Sequence, residues 1–163
     1  MELTGILEPE RVCMSTEAEA GPSCKARQLT PEECVEYVQE LADLLVPAFA
    51  RAAGEIDVWS ALRECATGGM QCFVGEVNGI INVAMITFFC NYPLKRVCDV
   101  IAYSGKARDF YWFNQVLEDW ARANGAVEMR GYGPESAMRL ARKHGYEEVY
   151  RVYKKDLYGK EEI

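Results

Sequence analysis

Residues 97–146 constrain what this chain can fold into more than any other stretch. The run VCDVIAYSGKARDFYWFNQVLEDWARANGAVEMRGYGPESAMRLARKHGY reads strand, turn, helix, strand, helix. The turn Ser104-Gly105-Lys106-Ala107-Arg108 joins an apolar strand to a long amphipathic helix. A strand that stops at a small, basic loop and opens a helix turns free backbone N–H groups and a positive dipole end towards an anion. The pyrophosphate of a nucleotide-type cofactor is such an anion, so the feature points towards an acyl-CoA-type site.

The flanking sequence supplies the rest of an α/β domain. Residues 25–29 suit a short strand, and Thr30-Pro31-Glu32-Glu33 has the form of a capping box with Pro at the first helical position. Cys34, Val38, Leu41, Leu45 and Phe49 then recur at helical spacing, with Pro47 expected to kink or end that helix. Asp57 is placed to cap a short second helix that buries Val58, Ala61, Leu62 and Cys65 and stops at Gly68-Gly69. Residues 71–77 and 80–89 read as a hairpin around the type I′ turn Asn78-Gly79. Residues 96–103 form the strand before the basic loop. A helix follows at about 107–124, with Phe110, Phe113, Val116, Leu117 and Trp120 inward, then a strand at 126–132. A helix closing at Gly145-Tyr146 and a last strand at 149–157 complete the order β-α-α-β-β-β-α-β-α-β. Such an order implies a three-layer α/β domain, with a mixed, partly antiparallel sheet, over residues 25–157. Residues 1–24 read as an acidic, turn-rich arm and 158–163 as a polar tail.

Charge and cysteine usage narrow the function classes. At a net charge of −7 a uniform basic face is not expected, and nucleic acid is a poor default partner. Local clusters at Lys106/Arg108 and Arg139/Arg142/Lys143 suit a small anionic ligand instead. No apolar run reaches the roughly 20 residues of a membrane span, and the N-terminus lacks a basic leader. The seven cysteines (Cys13, Cys24, Cys34, Cys65, Cys72, Cys90 and Cys98) are odd in number and show no C-x-x-C pair. A reducing, cytoplasmic setting without a metal fits them, with Cys34, Cys65, Cys72 and Cys98 acting as small apolar core residues.

The element order, the junction SGKARD and the ending ESAMRLARKHGYEEVYRVYKKDL together resemble the GNAT superfamily of acyl-CoA-dependent N-acetyltransferases. A narrower resemblance, on Ser104-Gly105-Lys106-Ala107, is to the GNAT-like domain of internal virion proteins of short-tailed phages, which would place the protein in a virion assembled in a bacterial cytoplasm. The GNAT resemblance implies acetyl-CoA as the donor and an amine of a small molecule or protein as acceptor. By position, Ile101, Ala102 and Tyr103 would pair with the pantetheine arm, and Gly105, Lys106, Ala107 and Arg108 would hold the pyrophosphate. The chain departs from the family at three places. Asp109 stands where the family loop ends in Gly or Ala, and a carboxylate there repels a pyrophosphate. Pro134 stands where the last helix often begins with Asn. Ala141 stands at the place of a proton-donating Tyr.

Acyl transfer to an amine needs a base for the amine proton and an acid for the leaving thiolate. Asp99, on the strand leading to the loop, is the best-placed base, with Glu76 second; the structural alternative for Asp99 is a solvent-facing residue on a half-exposed strand. Tyr132, Tyr150, Tyr153 or solvent would replace the absent acid. Lys106 and Arg108 are either phosphate ligands or ordinary charges beside a turn. His144 suits the dipole at a helix end better than catalysis. Of the run Phe110-Tyr111-Trp112-Phe113, at least one ring must face outward, where it would offer a protein-partner surface. Two functions of different class remain: an N-acetyltransferase, and a catalytically degenerate GNAT fold kept as a structural or binding component.

Overall fold

The structure, a computed structural model, describes residues 23–51, 54–155 and 157. The arm expected at 1–24 lies outside them except for its last two residues, as does the tail at 158–163. Contacts divide the chain into two compact units, one ending at Tyr132 and the other starting at Gly133. The first unit runs β1 (Cys24–Gln28), α1 (Pro31–Glu36), α2 (Val38–Phe49), α3 (Val58–Ala66), β2 (Gln71–Val77), β3 (Ile80–Asn91), β4 (Arg96–Ser104), α4 (Ala107–Ala123), β5 (Glu128–Gly131). Its sheet has the order β1-β2-β3-β4-β5; the first three pairings are antiparallel and β4–β5 is parallel. This mixed α/β sheet is the class the sequence implies.

Local chemistry sets the element ends. At α1 the Glu33 N–H donates to Thr30 Oγ1 (3.2 Å) while the Thr30 N–H donates to Glu33 Oε2 (2.8 Å), a complete capping box. Asp57 Oδ1 accepts from the N–H groups of Trp59 (2.9 Å) and Ser60 (3.0 Å) at the start of α3. Asn78 and Gly79, at φ 54° and 77°, make the expected hairpin turn, whose left-handed backbone matches the strand twist. The helix read across Pro47 breaks elsewhere: Tyr37 (φ −95°, ψ 15°) separates α1 from α2, and Pro47 sits inside α2 two residues before its end. Pro47 removes one backbone hydrogen bond of α2 and crowds the carbonyl of Asp43 in the preceding turn. Cys34 on α1 and Leu41 and Leu45 on α2 still enter one core.

Strand alternation divides that core between the two faces of the sheet. Cys72 and Val74 of β2, with Ala84 and Ile86 of β3, pack with α1, α2 and α3. Phe73, Val83 and Met85 point the other way, onto Phe113 and Leu117 of α4. Gly75 permits α4 to approach, because a Cβ there would lie 2.8 Å from the Trp112 ring and 3.1 Å from that of Phe113. Tyr111 is the outward ring of the aromatic run, at 58% exposure.

β4 carries the irregularity that shapes the site. Ile86 pairs with Ala102 but Thr87 pairs with Val100, so Ile101 is an extra residue on β4. In consequence Ile101 and Ala102 both pack on the α1–α3 side, whereas Val100 and Tyr103 pack with α4.

The second unit contains α5 (Glu135–Arg142). The Tyr146 N–H donates to the Ala141 carbonyl (3.2 Å) and the Gly145 N–H to that of Arg142 (3.3 Å), with Gly145 at φ 86°. This is the Schellman ending expected at Gly145-Tyr146. The last strand expected at 149–157 is not formed: among the described residues the chain there has no ladder partner, and Val149, Tyr150, Val152, Tyr153 and Leu157 are exposed. An alternating pattern makes a strand only where another strand accepts its hydrogen bonds.

Candidate active site

Asp99 is not the solvent-facing residue of the structural alternative; it is 1% exposed. Its neighbour Val100 packs towards α4, so alternation turns Asp99 to the α1–α3 face. A carboxylate buried so fully needs partners. Tyr132 supplies one, its O–H donating to Asp99 Oδ1 at 3.3 Å. The Arg130 guanidinium supplies a second, with Nε 3.8 Å from the same oxygen. The parallel register sets Arg130 beside Asp99, and the guanidinium also lies 4.9 Å over the Tyr92 ring. Burial first, and then the Asp99 carboxylate, push the Cys90 thiol above the ordinary range. The two residues singled out for proton transfer, Asp99 on β4 and Tyr132 just after β5, are therefore in contact.

The other acid–base candidates have different surroundings. Glu76 Oε1 accepts from Arg27 Nε at 3.1 Å, and Arg27 also binds Glu33 at 2.8 Å, so Glu76 belongs to an ion-pair network between β1, β2 and α1. Tyr150 and Tyr153 lie in the second unit, 54% and 90% exposed. Cys98 is fully buried and its thiol is pushed up to about 11, chiefly by burial, which makes it a poor nucleophile. His144 follows the last turn of α5, its N–H donating to the Ala141 carbonyl at 2.8 Å.

Beyond Asp99, β4 outruns its parallel neighbour. The β4–β5 pairing ends at Val100–Gly131, while β4 continues through residues 101–104. Among the described residues no strand pairs with that extension on the β5 side, so part of its backbone is left for another acceptor or donor. The extension holds Ile101, Ala102 and Tyr103.

The loop that follows is built for close approach. A Cβ on Gly105 would lie 2.9 Å from the Tyr103 hydroxyl and 3.0 Å from Val83 Cγ2. The Tyr103 O–H donates to the Lys106 carbonyl at 3.1 Å, which also accepts from the Asp109 N–H at 3.0 Å. Burial, and then the Asp109 carboxylate, push the Tyr103 phenol upward, so it remains a donor at neutral pH. Lys106 is the N-cap of α4 and no side chain caps the helix. The first amides of a helix lack intrahelical partners, so those of Ala107 and Arg108 are available, beside the exposed side chains of Lys106 and Arg108. These groups fit a phosphate. Asp109 opposes it, but only in part. Its carboxylate is largely buried, with Arg108 Nε 3.7 Å away and the Trp112 indole N–H donating to it at 3.4 Å.

Among the described residues no group of three or more His, Cys, Asp or Glu side chains is arranged to hold a metal, and no helix is long and apolar enough to cross a membrane.

The bulge at Ile101 and the Asp99–Tyr132 contact were beyond sequence reasoning. Only strand registers and a parallel pairing bring those residues into place, and nothing in the local pattern marks either.

No protein-family model matches the sequence, and no curated protein sequence matches it. Solved structures do match in fold. An aminoglycoside acetyltransferase from an uncultured soil metagenomic sample, in complex with sisomicin, is 14% identical with a TM-score of 0.64, covering 83% of this chain and 97% of that one. An aminoglycoside N-acetyltransferase in complex with CoA is 16% identical with a TM-score of 0.62, covering 86% and 98%. A ribosomal-protein-alanine N-acetyltransferase from Brucella melitensis biovar Abortus 2308 is 16% identical with a TM-score of 0.61, covering 83% and 99%. At these identities the likeness is one of architecture, and the chain has the GNAT-like mixed α/β fold of acetyltransferases.

Proposed function

We propose that the chain is an N-acetyltransferase that takes an acetyl group from acetyl-CoA to an amine of a small molecule or protein. The observation that carries this reading is the buried Asp99, touched by the Tyr132 hydroxyl, on the strand that leads through the Ile101 bulge to the uncapped start of α4. Acetyl-CoA supplies the activated acyl group; the chain's own residues bind, orient and move protons. Gly105, Lys106, Ala107 and Arg108 hold the pyrophosphate through backbone amides and two cations. Ile101, Ala102 and Tyr103 pair with the pantetheine amides along the β4 extension.

Asp99 takes the proton of the incoming ammonium group, directly or through one water. Arg130 and Tyr132 keep its charge satisfied between turnovers. Tyr132 is the proton donor nearest that carboxylate and takes the acid role, since Ala141 has no proton to give. Asp99→Asn should lower acetyl transfer by about 10²–10⁴-fold while acetyl-CoA binding, read by calorimetry, stays unchanged. An Asp99→Asn enzyme as active as wild type would remove Asp99 from the mechanism.

A second reading is a degenerate GNAT fold kept as a binding or structural component, such as part of a phage virion. Asp109 at the loop and Ala141 in the last helix favour it. No heat of binding at millimolar acetyl-CoA would decide for that reading.

A further inference from the structure

Charged side chains of alternating sign run from the surface inward to Asp99. Lys95, in the turn between β3 and β4, bonds to Glu128 of β5 through Glu128 Oε2. The other oxygen of that carboxylate, Oε1, lies 4.0 Å from Arg130 Nε. The same Nε lies 3.8 Å from Asp99 Oδ1. Arg130 thus has two carboxylates at nearly equal distance, the buried one of Asp99 and the partly exposed one of Glu128. Both distances are too long for a hydrogen bond, so at this nitrogen charge balance, not a directional bond, decides between them.

The β3–β4 turn sets that balance from outside. The Tyr92 N–H donates to the Lys95 carbonyl at 2.8 Å, which fixes both residues on one tight tip. From that tip the Tyr92 ring takes the Arg130 guanidinium at 4.9 Å while Lys95 takes Glu128. A Glu128 carboxylate that Lys95 already neutralises is a weaker competitor for Arg130. The cation therefore stays with Asp99, whose carboxylate, at 1% exposure, has the greater need of it.

We infer that Lys95 is a positioning residue for the base: by occupying Glu128 it commits Arg130 to Asp99. The catalytic consequence rests on the reading of Asp99 as the base, whereas the competition for Arg130 does not. Without Lys95, Glu128 draws the guanidinium away from Asp99. Removing Glu128 as well removes the competitor, so the second substitution repairs the first. A contact that only ties the turn to β5 predicts otherwise, because either substitution breaks it and the second cannot mend it.

The test compares wild type, Lys95→Met and the double variant Lys95→Met/Glu128→Gln. Its first readout needs no substrate. It is the rate at which the Arg130 Nε–H proton exchanges with water, followed by NMR on a signal assigned through its loss in Arg130→Lys. Exchange should be about threefold faster in Lys95→Met, the scale of a partly exposed ion pair, and return to the wild-type rate in the double variant. The second readout is CoA release from acetyl-CoA with lysine, benzylamine and spermidine as acceptors. There kcat should fall by a similar factor in Lys95→Met, with KM for acetyl-CoA unchanged, and recover in the double variant. An exchange rate unchanged in Lys95→Met would overturn the proposal, and so would a double variant that exchanges as fast as Lys95→Met or stays as slow in turnover. Wild-type protein inactive towards all three amines would count against the acetyltransferase reading, while the exchange rates would still decide whether Lys95 commits Arg130 to Asp99.

Discussion

At the start of α1 and of α3 a side chain closes the helix, and at the start of α4 none does. Thr30 and Glu33 satisfy each other's amides, and Asp57 accepts from two amides at once. Lys106, the corresponding residue of α4, makes no side-chain cap and carries a charge of the wrong sign for the dipole it faces. The difference separates two uses of one local structure. A closed start fixes where a helix begins and stabilises the fold. An open start beside two exposed cations holds back free energy that an anion can release on binding.

Lys106→Ala probes that contrast with the largest expected effect. Loss of one charge-assisted contact should weaken CoA binding by about tenfold to a hundredfold with no change in melting temperature. An unchanged Kd by calorimetry would make the α4 start an ordinary exposed helix end. Asp109→Asn acts in the other direction. With Arg108 and Trp112 already compensating the carboxylate, removing its charge should tighten CoA binding by up to about tenfold, measured in the same titration.

Thr30→Ala should cost ~1 kcal/mol and lower the melting temperature by about 2–4 °C while leaving the CoA Kd alone. A drop in CoA affinity would show that the closed and open starts are not independent. The smallest effect concerns pH. The Thr30 amide first, and then Arg27, hold the Glu33 carboxyl below its ordinary value of 4.5, against burial. A depressed carboxylate contributes stability that is complete above the unfolded value and is lost as pH falls through the folded one. The melting-temperature gap between wild type and Glu33→Gln should therefore hold at pH 6 and close below about pH 4.

Legibility in the sequence followed the range of the interactions. The capping box at Thr30, the Asp57 cap, the Asn78-Gly79 turn and the Gly145 ending were all readable, because each joins residues a few positions apart. That one of the aromatics at 110–113 faces outward was readable too, since four consecutive aromatics cannot share one helix face; the structure shows it to be Tyr111. The break at Tyr37 was not, because no residue beside it carries a breaking signal, whereas Pro47 does. The strand expected at 149–157 failed because its pattern required a partner strand. At the candidate site the loop residues 105–108 could be named in advance, as could Asp99 and Tyr132 singly.

The sequence by itself determined the element order from β1 to α5 apart from the break at Tyr37, most helix ends, the hairpin turn and the basic strand-to-helix junction, since hydrogen bonding and periodicity within a few residues specify them. Tertiary structure alone decided that Asp99 is buried against Tyr132 and Arg130, that Ile101 bulges out of register, and that Cys34, Cys65 and Cys72 share one core. The contacts of Asp99 join residues up to 33 positions apart, from Asp99 to Tyr132, and only the pairing of whole strands and the packing of helices on the sheet can bring such groups within reach of one another.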